Sequence, residues 1–280
     1  MMGKTVLITG GTSGIGKETA LGLARMDATI VIIGRNREKT ERVVDEIKLA
    51  TGNDQIQHHL CDLASLDDVR KLAADFRSEH SQLDVLFDNA GGINTKRTLS
   101  KDGYELTFAV NHLSHFLLTD LLLDMLKQSV PSRVVVTSSA AANLGRMHWD
   151  DLMLEKNYSG FRAYSQSKLA NQLFTFELAR RLKGTGVTAN CLHPGTVRTG
   201  FAMNNKGAFR IGYKLFSPLM ISASKGAETP IYLASSPEVK DLTGTYFFKR
   251  REKTPPRMAT DPEAALRLWD ISERLVKKND

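Results

Sequence analysis

The chain has 280 residues, 41% of them hydrophobic and 25% charged, which is enough for one large α/β domain over residues 1–280. Its formal net charge is +7 at pH 7, but most lysines and arginines alternate with acidic residues. The densest basic run, KRREK at 249–253, has no interleaved aromatic residues, so we expect no nucleic-acid partner.

Targeting and redox signals are weak. The first apolar stretch begins at Lys4, which leaves no room for a signal peptide, and no later apolar run reaches the ~18 residues of a membrane span. Cys61 and Cys191 lie in separate apolar stretches, a pattern typical of buried free thiols rather than of a disulfide. We therefore expect a soluble, cytoplasmic protein without a transmembrane segment.

Short β-branched runs alternate along the chain with stretches whose apolar residues recur every three or four positions. The predicted strands are TVLIT (5–9), ATIVII (28–33), QIQHHL (55–60), DVLFD (84–88), RVVVTS (133–138), VTANCL (187–192) and TYFFK (245–249). A closing helix is predicted behind Asp261 and Pro262. The alternation predicts right-handed βαβ units and thus an α/β, Rossmann-type, doubly wound parallel sheet of about seven strands with helices on both faces.

The stretch TGGTSGIG (9–16) places glycines 10, 14 and 16 between the first predicted strand and the following helix. Glycine lets another molecule approach the backbone, and the unpaired N–H groups of the first helical turn then face a diphosphate. In the first βαβ unit this pattern indicates a dinucleotide site. The spacing is G-x-x-x-G-x-G rather than G-x-G-x-x-G, so a tight turn without a ligand remains the alternative.

The end of the second predicted strand distinguishes between cofactors. A site for NAD commonly has Asp or Glu there, to bind the ribose hydroxyls. This chain has Gly34 and Arg35 instead, and a guanidinium can bind a 2′-phosphate. The sequence therefore predicts NADP(H) in preference to NAD(H), with Arg37 and Lys17 as lesser candidates for the same contact.

YSQSK places Tyr164 and Lys168 four residues apart, on one face of a predicted helix. A free phenol titrates near ~10, so proton exchange near neutrality needs its pKa lowered by about three units, or ~4 kcal/mol. The ammonium of Lys168 and the oxidised nicotinamide would lower it, and Lys168 would also hold the nicotinamide ribose. Ser139, at the end of the fifth strand, would donate a hydrogen bond to the substrate oxygen. Ser138 is the alternative.

Together these motifs resemble the short-chain dehydrogenase/reductase family over residues 3–250. Further matches are CDL (61–63), DNAG (88–91), NHLSHF (111–116) and HPGTVRT (193–199). The segment from RVVVTSSAA to LARRLKGTGV is similar to the retinol dehydrogenase branch, in which the second serine of the pair is catalytic and lies 25 residues before the tyrosine, as Ser139 does here. Asp88 stands where the family usually has asparagine, and we expect this to affect fold stability more than chemistry.

The resemblance implies a catalytic tetrad of Asn111, Ser139, Tyr164 and Lys168, in which a kink at Asn111 holds a proton-relaying water. It also implies a set of cofactor-binding residues at four strand ends. Besides Arg35, Tyr164 and Lys168, these are Gly10, Thr12, Ser13, Gly14, Ile15 and Gly16 in the glycine turn, Asp62 and Leu63 beside the adenine, Asn89, Ala90 and Gly91 beside the ribose, and Pro194, Val197 and Thr199 beside the nicotinamide.

Residues 194–221 are rich in glycine and aromatic residues, which predicts a lid over the substrate. With Met203 and Met220 it predicts an apolar pocket, and thus a small hydrophobic carbonyl or alcohol, retinoid-like or another lipid or xenobiotic, as the substrate. The bases and aromatics of 206–220 are also compatible with peripheral contact with a membrane. Helices near 113–125 and 169–182 are apolar on more than one side, so a homodimer and a monomer both remain open.

The sequence thus predicts an NADP(H)-dependent carbonyl or alcohol oxidoreductase. A catalytically silent NADP-binding regulatory protein is the alternative, which the complete tetrad disfavours. A nucleotide-sugar epimerase is disfavoured because only about thirty residues follow the last predicted strand. We expect no metal site, because no cysteine or carboxylate set at suitable spacing joins the histidines at 58, 59, 112 and 115.

Overall fold

The computed structural model describes residues 1–197 and 220–277, which contain an eight-stranded sheet covered by helices on both faces. The strands are β1 (Thr5–Thr9), β2 (Thr29–Gly34), β3 (Ile56–Leu60), β4 (Val85–Asp88), β5 (Ser132–Thr137), β6 (Val187–Leu192), β7 (Tyr246–Phe248) and β8 (Arg251–Glu252). Their order across the sheet is β3-β2-β1-β4-β5-β6-β7-β8. The predicted doubly wound α/β fold is confirmed.

The strand count needs a correction, since about seven strands were predicted and the described residues form eight. Strands β1 to β7 are parallel, whereas β8 pairs antiparallel with β7. The connecting residues Lys249 and Arg250 both have positive φ, 51° and 61°, as a two-residue hairpin turn requires. The short strand could not be predicted from the sequence, because lysine and arginine are not typical of such a turn.

The longer helices connect the strands. They are α1 (Gly14–Ala24), α2 (Arg37–Thr51), α3 (Leu66–Glu79), α4 (Leu106–Gln128), α5 (Gly160–Arg181), α6 (Ala223–Ser235) and α7 (Pro262–Val276). Side-chain caps fix several helix starts: the Ser65 hydroxyl accepts from Asp68 N, and Asp261 accepts from the first-turn amides of α7. The predicted closing helix is therefore present, with its cap at Asp261.

Two apolar layers enclose the sheet, because successive strand residues point to opposite faces and both faces are covered. Val6 and Ile8 belong to the layer that contains α1, α2 and α6. Leu7 lies between them in sequence but belongs to the other layer, which contains α3, α4, α5 and α7. All three side chains are fully buried. This packing holds the carboxyl ends of the central strands in fixed register.

Helix α4 corrects one expectation about membranes. Its 23 residues include an 18-residue window with a mean hydropathy of 1.3, which passes the length and composition test for a membrane span, the only helix in residues 1–197 and 220–277 to do so. However, 72% of that window is buried inside the protein. Its apolar character is accounted for by packing in the core.

The other sequence predictions have mixed outcomes. Cys61 and Cys191 are free and buried, as predicted. Most of α5 is buried within this one chain, which accounts for its apolar sides without a partner subunit. The oligomeric state and the single-domain organisation stay predictions, and all of the predicted lid except 194–197, Met220 and Ile221 lies outside the described residues.

Candidate active site

The carboxyl ends of β1, β4, β5 and β6 border a cavity of about 570 Å³. Most of the predicted site residues line it: Gly10, Thr12, Ser13, Gly14, Ile15, Arg35, Asp62, Leu63, Asn89, Ala90, Gly91, Ser139, Tyr164, Lys168, Pro194 and Val197. Gly16 and Asn111 lie behind this lining, and Thr199 lies outside the described residues. The motifs that are scattered along the chain therefore meet at one crevice.

The glycine turn after β1 offers a site for an anion. Gly10 and Gly14 have φ of +65° and +55°, which other residues adopt only with strain. A Cβ on Gly16 would lie 2.4 Å from the carbonyl oxygen of Gly10, so only glycine lets α1 start so close to the strand. The Ser13 side chain does not cap α1, which leaves first-turn N–H groups for a ligand. A dinucleotide diphosphate fits this arrangement.

Arg35 is the arginine that borders the cavity at the end of β2. Its side chain is 74% exposed, and one guanidinium nitrogen lies 4.0 Å from Asp62 Oδ1, at the limit of an ion pair. The lesser candidates are engaged elsewhere: Lys17 pairs with Glu46, and Arg37 lies 3.2 Å from Glu41. The geometry therefore favours Arg35 for contact with a 2′-phosphate.

Tyr164 and Lys168 lie one turn apart on α5, with the Lys168 Nζ 5.9 Å from the centre of the Tyr164 ring. Lys168 is 2% exposed, and its ammonium donates to the carbonyl oxygen of Thr137 at 3.0 Å. Burial lowers the pKa of Lys168 to about 8. The predicted phenol and ammonium thus share one wall of the crevice.

The prediction that Lys168 and the oxidised nicotinamide together lower the pKa of Tyr164 concerns the cofactor-bound protein and stays a prediction. In the chain alone, burial raises the pKa of Tyr164, and a hydrogen bond with Ser139 only partly opposes this. The same surroundings disfavour the charged form of Lys168, whose pKa falls to about 8. Acidification of the phenol therefore needs additional positive charge in the crevice.

The two adjacent serines differ in their contacts. The Ser138 hydroxyl is buried, donates to the Lys168 carbonyl at 2.8 Å and accepts from Gln172 Nε2 at 3.1 Å. The Ser139 hydroxyl is partly exposed to the cavity and hydrogen-bonds the Tyr164 phenol. Both serines line the cavity, but the hydroxyl of Ser138 is engaged with α5, whereas that of Ser139 lies beside the Tyr164 phenol.

Asn111 lies in a π-helical turn, Ala109–Leu113, within α4. Its side-chain amide donates to the Gly92 carbonyl and to Ser167 Oγ, both at 2.9 Å, and its Oδ1 accepts from Gly92 N at 2.8 Å. These bonds fix the loop after β4 against α5. The kink that the family resemblance implies at this position is therefore present as a π-helical turn, and Asn111 lies behind the cavity wall.

Thr9, at the end of β1, and His115 connect the π-helical turn to the loop after β4. The sequence analysis did not identify either residue. Thr9 Oγ1 accepts from the backbone N–H of Asn89 and of Ala90, and it lies 3.0 Å from His115 Nε2. His115 Nδ1 donates to the Asn111 carbonyl at 3.1 Å. Burial lowers the pKa of His115 to about 3, so the ring is neutral. Both residues lie within the quoted motifs, but only the fold reveals that they touch.

The loop after β6 is braced by ring stacking. His193 stacks on Phe248 of β7, with ring centres 4.3 Å apart and planes at 10°. His193 Nδ1 accepts from Gly195 N at 3.0 Å, and Val197 pairs with Ile221 in a short parallel bridge. The backbone of 193–197 is thereby held at the cavity edge.

Asp88, at the end of β4, is an irregularity of this region. It is fully buried, its Oδ2 accepts from Thr119 Oγ1 at 2.9 Å, and its Oδ1 has no hydrogen-bond partner among the described residues. Burial raises the pKa of Asp88 to about 8. The carboxyl is therefore protonated at neutral pH.

The chain is similar to a known protein family and to curated proteins. The model of the family described as "short chain dehydrogenase" matches residues 4–209. Human retinol dehydrogenase 13 is 43% identical over 281 residues, which cover 98% of this chain and 85% of that protein.

Solved structures show the same fold. An uncharacterised protein from Mycobacterium paratuberculosis superposes with a TM-score of 0.80 at 35% identity, covering 98% of this chain and 94% of that one. A short-chain dehydrogenase from Shigella flexneri, complexed with NADP, superposes with a TM-score of 0.72 at 25% identity, covering 90% and 98% of the two chains.

Proposed function

Because the chain belongs to the short-chain dehydrogenase family, in the branch of the retinol dehydrogenases, we propose that it transfers a hydride between NADP(H) and a hydrophobic carbonyl or alcohol. One observation carries this proposal. Tyr164, Ser139 and Lys168 line the same cavity as the glycine turn. Proton-transferring groups and a dinucleotide site thus share one crevice.

The contacts in the crevice support the proposed catalytic roles. The Ser139 hydroxyl is hydrogen-bonded to the Tyr164 phenol. A substrate oxygen placed between them would receive a hydrogen bond from the serine and a proton from the phenol. The bound nicotinamide supplies the hydride in reduction and accepts it in oxidation. Lys168 would hold the nicotinamide ribose, and its ammonium would favour the phenolate that remains after Tyr164 has given up its proton. Asn111 holds the loop after β4 in place against α5.

The preference for NADP(H) is supported by Arg35. Its guanidinium borders the cavity at the position where a carboxylate would bind the ribose of NAD, and its contact with Asp62 is loose at 4.0 Å. Lys101 also approaches Asp62, at 3.9 Å, which leaves Arg35 less committed to this carboxylate. A 2′-phosphate would give Arg35 a stronger partner.

The proposed substrate is retinoid-like or another lipid or xenobiotic carbonyl. Val110, Ala140 and Met220 add apolar surface beside the polar catalytic groups, a combination typical of sites for hydrophobic small molecules. The similar human protein is named a retinol dehydrogenase. In a compartment rich in NADPH, the reaction would run as reduction. The two buried free thiols support a reducing compartment, and we propose the cytoplasm.

A substrate panel with NADPH and NADH tests this function. We expect NADPH-dependent reduction of retinal and other apolar aldehydes, and loss of about 10²–10⁴ in kcat for Tyr164→Phe. Tyr232→Phe is the matched control, since that hydroxyl is bonded to Glu238 on the surface. A protein that binds NADPH but reduces no carbonyl would instead be a regulatory NADP-binding protein, and preference for small charged substrates would refute the apolar pocket.

A further inference from the structure

A second group of polar side chains lies at the outer edge of the sheet, on β3 and at the end of α3. His59 is on β3, the last strand on this side, Glu79 is the final residue of α3, and His80 follows it. None of the three lines the cavity. Glu79 and His80 are adjacent in the chain, and the packing of α3 against β3 brings His59 to them.

Their potential ligand atoms are close. One atom from each residue lies within 4.8 Å of the other two, and His59 Nε2 is 3.6 Å from Glu79 Oε2. Tetrahedral zinc bonded at about 2.0–2.1 Å to nitrogen and oxygen separates its ligands by about 3.4 Å. The His59–Glu79 separation is already near this value, and Glu79, which is 57% exposed, has room to close the rest.

The two histidines are held in place by an aromatic ring. His80 stacks on Phe76 with ring centres 4.4 Å apart and planes at 26°, and His59 meets the same ring edge-on at 6.5 Å. His80 Nε2 is buried and has no hydrogen-bond partner among the described residues. Nitrogen atoms buried in this way normally have a partner, and a metal ion is one partner that an imidazole nitrogen can take.

We propose that His59, Glu79 and His80 bind a zinc ion that ties the end of α3 to the edge strand β3. Two imidazoles and one carboxylate suit Zn²⁺, whereas Mg²⁺ and Ca²⁺ prefer oxygen ligands alone. The expectation of no metal rested on spacing along the chain, which does not reveal contacts made by the fold.

The nearby His58 provides a matched control. It is the preceding residue of β3, and its Nε2 lies 4.0 Å from Glu41 on α2, a histidine–glutamate pair for which residues 1–197 and 220–277 supply no third ligand. If a single such pair were enough to bind zinc, replacing His58 would matter as much as replacing His59 or His80.

The test is a Zn²⁺ titration of the untagged, chelator-treated full chain, in competition with a chromogenic chelator. We expect one tightly bound Zn²⁺ per chain, at least tenfold weaker binding in His80→Gln and Glu79→Gln, and unchanged binding in His58→Gln. Zn²⁺ should also raise the Tm of the wild type and of His58→Gln but not of the other two variants.

Glu79→Gln keeps the test decisive if His80→Gln fails to fold, because Glu79 is largely exposed. No uptake by the wild type, or equal uptake by wild type and Glu79→Gln, would overturn the proposal. In that case the three side chains form only an ordinary ion pair beside a stacked ring.

Discussion

The two halves of the sheet hold their polar groups differently. In the cofactor half, β1 to β3, the site is made of backbone N–H groups and of partly exposed side chains such as Arg35. In the reaction half, β4 to β6, it is made of deeply buried side chains such as Asn111 and Lys168, 0% and 2% exposed. Substitutions in the reaction half should therefore lower stability and activity far more than substitutions in the cofactor half.

Asp88 is as deeply buried as the other polar side chains of the reaction half, but one of its carboxyl oxygens has no hydrogen-bond partner among the described residues. Its pKa is about 8 in the folded chain and near 3.8 when unfolded, so the native state alone keeps the proton between these values. Ionisation of this carboxyl therefore costs no stability below about pH 4, and its cost grows as pH rises towards 8. From about pH 5 to about pH 8, ionisation of Asp88 should lower the free energy of unfolding by about 4 kcal/mol.

Asp88→Asn should remove that pH dependence, since an amide does not titrate. Urea unfolding at the two pH values measures it. Asp124→Asn, on the exposed side of α4, is the control that should keep the wild-type slope. If Asp88→Asn and wild type lose stability in parallel, the carboxyl is not held protonated.

Ser139 and Ser138 test the reaction half at neighbouring positions. Ser139→Ala should lower kcat/KM by about 10²–10³, because it removes a donor to the substrate oxygen. Ser138→Ala leaves Gln172 without its buried acceptor, which should lower the free energy of unfolding by about 1–3 kcal/mol and kcat/KM by less than tenfold. Steady-state kinetics and denaturant unfolding of both variants separate the effects, and a reversed pattern would assign catalysis to Ser138.

Arg35→Ala tests the cofactor half. Loss of an exposed guanidinium should raise the KM for NADPH by about 10- to 100-fold, with little change for NADH. The increase should shrink at high salt, where exposed charges are screened. Arg37→Ala is the control, because Arg37 is paired with Glu41. Equal losses in the two variants would show that general positive charge, rather than Arg35, attracts the cofactor.

The same contrast explains what could be predicted from the sequence. Glycines 10, 14 and 16 and Arg35 act through local turns, so their motif was readable without a fold. The link from Thr9 through His115 to the Asn111 carbonyl joins residues more than a hundred positions apart, and no local pattern encodes it. The strand β8 was missed because its turn is made of Lys249 and Arg250. The burial of Tyr164, which raises the pKa of its phenol in the chain alone, depends on tertiary packing that no local pattern reveals.

The central claim is that Lys168, together with the bound cofactor, makes the Tyr164 phenol acidic. The pH dependence of alcohol oxidation by NADP⁺, in wild type and Lys168→Met, tests this directly. We predict that the wild-type rate rises with pH to a plateau, with a midpoint well below the ~10 of free tyrosine, and that Lys168→Met moves the midpoint up by about one unit or more. The same midpoint with and without Lys168 would contradict the account.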